Sequence, residues 1–217
     1  MKRPKQYRRW SRKLETNILR VYEASRTSER EDGMLWYSRA NEFAHGLSEC
    51  YNLTLSATCG VIAAISPGNN WGRNLLDAET LCREFVAGHR LPTIGSYGRR
   101  NIVKAEKIFR GANPLDVLPP TGPKVRAFYQ CIFAPDTASA VCIDRHAKCL
   151  AIGAYEDREA NATVRAGSQY QWYAWHYKRL AERLGLLPHQ LQAITWVTWK
   201  RLVDEYEKSA MSFDFKD

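Results

Sequence analysis

Two short stretches hold the residue types best suited to chemistry. The first is Leu118-Pro119-Pro120-Thr121-Gly122-Pro123-Lys124-Val125-Arg126-Ala127, where a short helical turn runs into a Pro/Gly turn and a second helix leaves it. Gly122 offers a backbone conformation that few other residues tolerate, and it lets another stretch of main chain come close. Pro123 suits the first turn of the following helix, where its missing N–H costs nothing. The amides at that helix start point at an anion, which makes the turn a candidate grip on a phosphate backbone. It reads equally well as a tight connection between two helices. The second stretch is Val141-Cys142-Ile143-Asp144-Arg145-His146, an apolar approach that delivers a carboxylate to the start of a helix. Most aspartates in such places only cap the helix. The pairing with Lys124, twenty residues earlier, is what singles Asp144 out. His146 is either a general acid or base near neutrality or a capping residue. Arg145 is either a phosphate ligand or a solvated charge.

The elements that must position these residues all read as helices. Apolar residues recur at helical spacing over 10–28, with Trp10, Leu14, Ile18, Val21 and Tyr22. Glu29–Gly33 reads as a polar break before a helix at 34–49. Leu53–Ile65 is apolar and rich in small residues, which predicts a buried helix, or a strand as the alternative. Ser66-Pro67-Gly68-Asn69-Asn70 breaks it. Helices are then expected at 71–87, 99–110, 115–118, 124–133, 144–154, 162–184 and 188–208, with turns at Gly95–Gly98, Asn113-Pro114, Ala134–Ser139 and Gly185 and a frayed tail from Met211. The expected fold class is all-α, its helices packed as one unit. Aromatic residues gather in the flanks: Trp36, Tyr37 and Trp71, then Tyr170, Trp172, Tyr173, Trp175, His176 and Tyr177, then Trp196 and Trp199 beside Lys200 and Arg201. Such residues either glue helices together or stack on unpaired bases.

Composition narrows the class. In 217 residues, 45% are apolar and 25% are charged, as in ordinary globular proteins. No apolar run reaches the roughly 18 residues that cross a bilayer, and no h-region follows the basic N-terminus, so neither a membrane span nor a secretory signal is expected. The formal net charge is +9, and Lys2, Arg3, Lys5, Arg8, Arg9, Arg12 and Lys13 come without an acid among them. That balance favours a polyanionic partner through counterion release. Six cysteines lie scattered, with no C-x-x-C pair. Their spacing fits neither a zinc site nor a disulfide framework, so buried thiols in a reducing compartment are expected, with no metal.

The paired stretches resemble the helix-hairpin-helix DNA glycosylase superfamily, the group that includes endonuclease III. That family's pattern is L-P-G-x-G-x-K-(T/A)-A, followed about twenty residues later by a catalytic Asp in a V-D-T-H-like segment. Upstream, Ala64-Ile65-Ser66-Pro67-Gly68-Asn69-Asn70 resembles the family's L-L-S-x-Q segment, and Gly98 to Asn101 with Lys104 and Ala105 loosely resembles its G-(F/L/Y)-(Y/R)-x-x-K-A stretch. The likeness covers roughly residues 55–155. It implies two helical lobes with the active site between them, a core at about 55–155, and a second lobe made of 1–54 and 156–217. By that resemblance Lys124 stands where bifunctional members keep the amine that attacks the sugar, and Asp144 where catalytic members keep their carboxylate. Pro120, Thr121, Gly122 and Pro123 would form the hairpin, which in the family often holds a monovalent cation through backbone carbonyls. Asn69 or Asn70 would be the wedge that fills the gap left by a flipped base. Arg126, Lys104 and Arg145 would complete the DNA contacts, with His146 beside Asp144. Three features depart from the family: Pro120 replaces the first hairpin glycine, Val125 replaces the residue after the lysine, and the iron–sulfur cysteine pattern is missing.

The layout is more similar to a set of bacteriophage proteins. It shares their W-Y pair at Trp36-Tyr37, an A-A-I-S-P-x-x-x-W-x-x-N segment at Ala63–Asn74, D-R-H-A at Asp144–Ala147 and Q-A-x-x-W-x-x-W-(K/R)-R at Gln192–Arg201. That group is similar to the glycosylase-fold transferases of thymine hypermodification, which displace phosphate from phosphorylated 5-hydroxymethyluracil in DNA with an amine. The resemblance implies an amino acid:DNA transferase acting as a monomer in the cytoplasm of the host cell. Its partners would be DNA and an amino acid or other amine, with no membrane and no cofactor beyond the hairpin cation. The other readings are a DNA glycosylase with lyase activity and a non-catalytic DNA-binding module.

Overall fold

The computed structural model describes residues 8–94, 98–153 and 167–213, with side chains over 13–94, 98–153 and 167–207. The side chains of the basic run from Lys2 to Arg12, and that of Trp10, lie outside the described residues, as do residues 95–97 of the expected turn, 162–166 of the expected long helix and the last four of the tail. Every regular element among the described residues is a helix, so the chain is all-α. In order these are α1 (Arg8–Glu23), α2 (Thr27–Cys50), α3 (Leu55–Ile65), α4 (Trp71–Val86), α5 (Arg99–Phe109), α6 (Pro114–Val117), α7 (Pro123–Phe133), α8 (Arg145–Ile152), α9 (Ser168–Leu184) and α10 (Pro188–Phe213).

Several boundaries differ from the sequence reading. The first helix stops at Glu23 rather than near 28, and the polar stretch Glu29–Gly33 is the start of α2 rather than a break. The cause is a cap: Glu29, at the third position of α2, accepts the Arg26 N–H at 2.8 Å and so begins the helix there. The last helix continues through Phe213, past the expected end at 208 and into the stretch read as frayed. α8 ends at Ile152 because Gly153 turns left-handed at φ 74°.

Contacts divide the chain into two compact units, a middle unit (Tyr37–Cys142) and a terminal unit (Met1–Trp36 with Ile143–Asp217). In the middle unit, α3 is the centre. It packs against α4, α5, α6 and α7, and Ala57–Ile65 are all buried. Its small residues make this possible: a Cβ on Gly60 would lie 2.7 Å from Pro114 Cγ, so a side chain there would push α6 away. Thr54 caps α3 by accepting the Ala57 N–H, and Thr58 donates to the Ala44 carbonyl at 3.0 Å. The stretch with strand as its alternative is therefore a helix.

In the terminal unit, α1 packs against α8, α9 and α10. Glu15 of α1 meets His176 Nδ1 of α9 at 2.5 Å and is also paired with Arg179. His176 is wholly buried and meets the rings of Trp172 and Trp175 edge-on. Tyr170, Tyr173 and Tyr177 of the aromatic run are also buried, so these four rings are core. Trp36 meets Trp196 edge-on at 6.2 Å, and Arg201 reaches Glu29 Oε1 at 2.6 Å and the Ala24 carbonyl at 3.0 Å. Arg201 thus holds the α1–α2 turn to α10.

Candidate functional site

The hairpin is built from α6, a turn and α7. Asn113 opens α6 by accepting the Leu115 N–H, and the Leu118 side chain is fully buried at the end of that helical turn. The Gly122 N–H then donates to the Pro119 carbonyl at 2.8 Å, and Pro123 takes the first position of α7. Gly122 itself has φ −110°, outside the left-handed region, and a Cβ there would meet nothing nearer than the Pro119 oxygen at 3.6 Å. The expected need for glycine at this position is therefore not met: the single Gly122–Pro119 hydrogen bond closes the turn with negative φ, and no neighbour crowds it. Pro119, Pro120 and Thr121 are exposed.

No side chain caps α7, so its first amides keep the orientation that suits an anion. Lys124 sits in that first turn, partly exposed, and its carbonyl accepts from Cys142 Sγ at 3.7 Å. Arg126 is turned the other way. Its guanidinium donates to the Leu118 carbonyl at 3.1 Å and also to that of Leu115. The carbonyls of Leu115, Leu118, Pro119 and Lys124 thus meet donors of the chain itself.

Asp144 caps α8. Its backbone is extended (φ −98°, ψ −173°) and its Oδ1 accepts the Ala147 N–H at 2.8 Å. The other carboxylate oxygen accepts no hydrogen bond among the described residues, and the side chain is partly exposed. Arg145 and His146 follow in the same first turn, the former exposed and the latter partly so. Asp144, Arg145 and His146 belong to the terminal unit, whereas Lys124 and the hairpin belong to the middle one.

The remaining expected contacts lie in the middle unit. Asn70 caps α4 by accepting the Arg73 N–H at 2.8 Å. Asn69 donates to the buried Asp77 at 2.9 Å, and Arg73 pairs with the other Asp77 oxygen at 2.7 Å. Lys104 of α5 is half-buried with its Nζ 3.4 Å from Asn101 Oδ1, and burial, helped by the Arg100 charge, lowers its pKa from the usual lysine value. Such a lysine holds its proton less firmly than an exposed one. Sequence reasoning missed Glu15, Arg179 and the buried Lys148, the last one helical turn beyond Asp144. It noticed Tyr170 and Tyr177 only as members of an aromatic run. Their spacing of seven, two helical turns, was the signal that one face of α9 carries both.

Among the described residues, no group of three or more His, Cys, Asp or Glu side chains is placed to hold a metal ion, and no helix is long and apolar enough to cross a membrane. The fold and these residues define an all-α protein with a helix–turn–helix hairpin and a capping aspartate. The chain belongs to DUF7178, a family of unknown function whose model matches residues 1–202. No curated protein and no solved structure matches it.

Proposed function

We propose that this protein is a DNA-base-modifying transferase of helix-hairpin-helix glycosylase-like architecture, acting in the host cytoplasm on phosphorylated 5-hydroxymethyluracil. The observation that carries the reading is the state of Asp144: one oxygen is committed to the Ala147 amide and the other accepts no hydrogen bond among the described residues. A carboxylate so fixed keeps one oxygen for a proton. The α6–α7 hairpin, with uncapped amides and Lys124 in the first turn of α7, supports contact with a phosphate backbone. The net charge of +9 supports the same partner.

The reaction follows from these parts. Asp144 takes a proton from the incoming ammonium, because only the neutral amine is a nucleophile. The amine lone pair forms a bond to the 5-methylene carbon of the base. The carbon–oxygen bond breaks, and its electron pair leaves with the phosphate. Arg145 offsets the charge on that phosphate and His146 carries protons, while Lys124 at the hairpin meets the phosphate backbone. In the second reading, a glycosylase with lyase activity, the neutral Lys124 amine bonds to the sugar C1′ instead, and the glycosidic bond breaks with its electron pair leaving on the base. The test is to incubate the protein with phosphorylated 5-hydroxymethyluracil DNA and a panel of amino acids and polyamines, then weigh the released nucleosides. The expected result is an amine adduct that disappears in Asp144→Asn. An absence of adduct with every amine sinks the transferase. A borohydride-trapped protein–DNA adduct lost in Lys124→Ala establishes the lyase in its place.

A further inference from the structure

Two tyrosines of α9 meet the backbone on either side of Asp144. Tyr170 Oη accepts the Ile143 N–H at 3.2 Å. Tyr177 Oη donates to the Ala147 carbonyl at 3.5 Å. The residues are seven apart, so one face of α9 presents both. Tyr170 is 5% exposed and Tyr177 wholly buried. Ile143 precedes α8 and is 1% exposed, so without Tyr170 its amide would be a buried donor with no intrahelical acceptor. Ala147 is the residue whose N–H holds Asp144 Oδ1. The tyrosines therefore grip the residue before the aspartate and the residue that caps to it.

The geometry points to Tyr170 and Tyr177 as positioning residues that fix the direction of the Asp144 carboxylate through the backbone at Ile143 and Ala147. The inference rests on the reading of Asp144 as the group that handles the proton. An N-cap residue has non-helical dihedrals, and Asp144 makes two bonds of its own to α8: Oδ1 accepts the Ala147 N–H and its carbonyl accepts the Lys148 N–H at 3.1 Å. Phenylalanine keeps either ring in the core and removes only the hydroxyl, so it isolates what the hydroxyls contribute. Burial holds the Tyr177 phenol well above its usual range; a Thr195 hydrogen bond acts against this, and the Asp144 charge acts with it. Tyr177 thus remains a hydrogen-bond donor at every working pH.

The test compares Tyr170→Phe and Tyr177→Phe, which keep the rings, with the unaltered protein and with Asp144→Asn. Two quantities are read: kcat and KM for amine transfer to phosphorylated 5-hydroxymethyluracil DNA, and amide hydrogen exchange of the DNA-free protein. Each Phe variant is expected to lower kcat by roughly tenfold, with KM for DNA within about twofold, and to speed exchange at Ala147 by roughly tenfold while the α10 amides keep their rates. Unchanged kcat and unchanged Ala147 exchange in both variants overturn the inference. A uniform rise in exchange across α1, α8, α9 and α10 also overturns it, because the hydroxyls would then be general supports. An unaltered protein that transfers no amine overturns the reaction alone. Exchange at Ala147 then still decides the clamp, faster supporting it and unchanged refuting it. Should Tyr177→Phe fail to fold, Tyr170→Phe carries the same comparison.

Discussion

A Cβ atom on Gly33 would overlap the Cα of Ile194 and stand 2.5 Å from its nitrogen. The first half of α2 therefore meets α10 backbone to backbone, and hydrogen is the only side chain that fits. The obstacle is main chain, so no rotamer change relieves it. Gly33→Ala is expected to destabilise the protein by about 3 kcal/mol or more, above the usual cost of overpacking, because a helix must move. A thermal melt reads this directly. Gly46, on the same helix, has nothing within 4 Å of its Cβ position, so Gly46→Ala should leave the melting temperature unchanged or raise it.

That contact also marks where sequence reading stops. Gly33 stands among polar residues and looks like a break, yet its partner lies some 160 residues away, and nothing local announces the crossing. Elements whose ends are set locally were legible. Asn70, Asn113 and Asp144 each cap the helix that follows, and the expected starts of α4, α6 and α8 fall within a residue of those found. At the candidate site the same holds. Asp144 was legible as a cap, whereas the turn of Arg126 toward the Leu118 carbonyl depends on the path of the hairpin, which residue types alone do not encode. Glu15 with His176 and Glu29 with Arg201 join positions more than 150 apart and left no trace in spacing.

The Glu29–Arg201 pair gives a pH prediction. The hydrogen bond from Arg201 lowers the Glu29 pKa; burial opposes it and the Arg26 amide adds to it. The folded pKa therefore lies below the unfolded value of about 4.3, and the folded chain binds fewer protons in that window. The stabilisation is fully present above the unfolded pKa and is lost as pH falls through the folded one. Melting temperature should be level near neutrality and drop below about pH 4, and Glu29→Gln should flatten that drop. Arg201→Ala leaves the buried carboxylate without its main partner and should cost about 2–3 kcal/mol at pH 7.

Thiol reactivity should separate the cysteines. Burial pushes the Cys59 and Cys82 thiols up to about 12, with the Glu79 charge adding to the effect at Cys82. At pH 8 their thiolate fraction is then roughly one in ten thousand, and the thiolate is the reactive form. Cys50 is exposed. A disulfide reagent at pH 8 should modify Cys50 first, in a fast phase that Cys50→Ser removes. Cys59 and Cys82 should react only once denaturant opens the middle unit. Fast labelling of either in the folded protein would contradict their burial within α3 and α4.

Substitution at Asp144 can separate capping from chemistry. Asparagine keeps a side-chain oxygen for the Ala147 N–H, and it ranks with aspartate among N-caps. Alanine removes the acceptor altogether. Asp144→Asn is therefore expected to hold stability within about 0.5 kcal/mol, while Asp144→Ala loses about 1 kcal/mol. The two should nevertheless lose amine transfer alike, since neither can take a proton from an ammonium. Urea melts and transfer assays on the same samples give both quantities. If Asp144→Asn transfers amine at the unaltered rate, the carboxylate is only a cap and the catalytic base lies elsewhere. If activity instead tracks stability, falling in Asp144→Ala but not in Asp144→Asn, the first turn of α8 matters as a scaffold for Arg145 and His146. The proton would then have to pass through His146, a distinction that His146→Gln reads in the same assay.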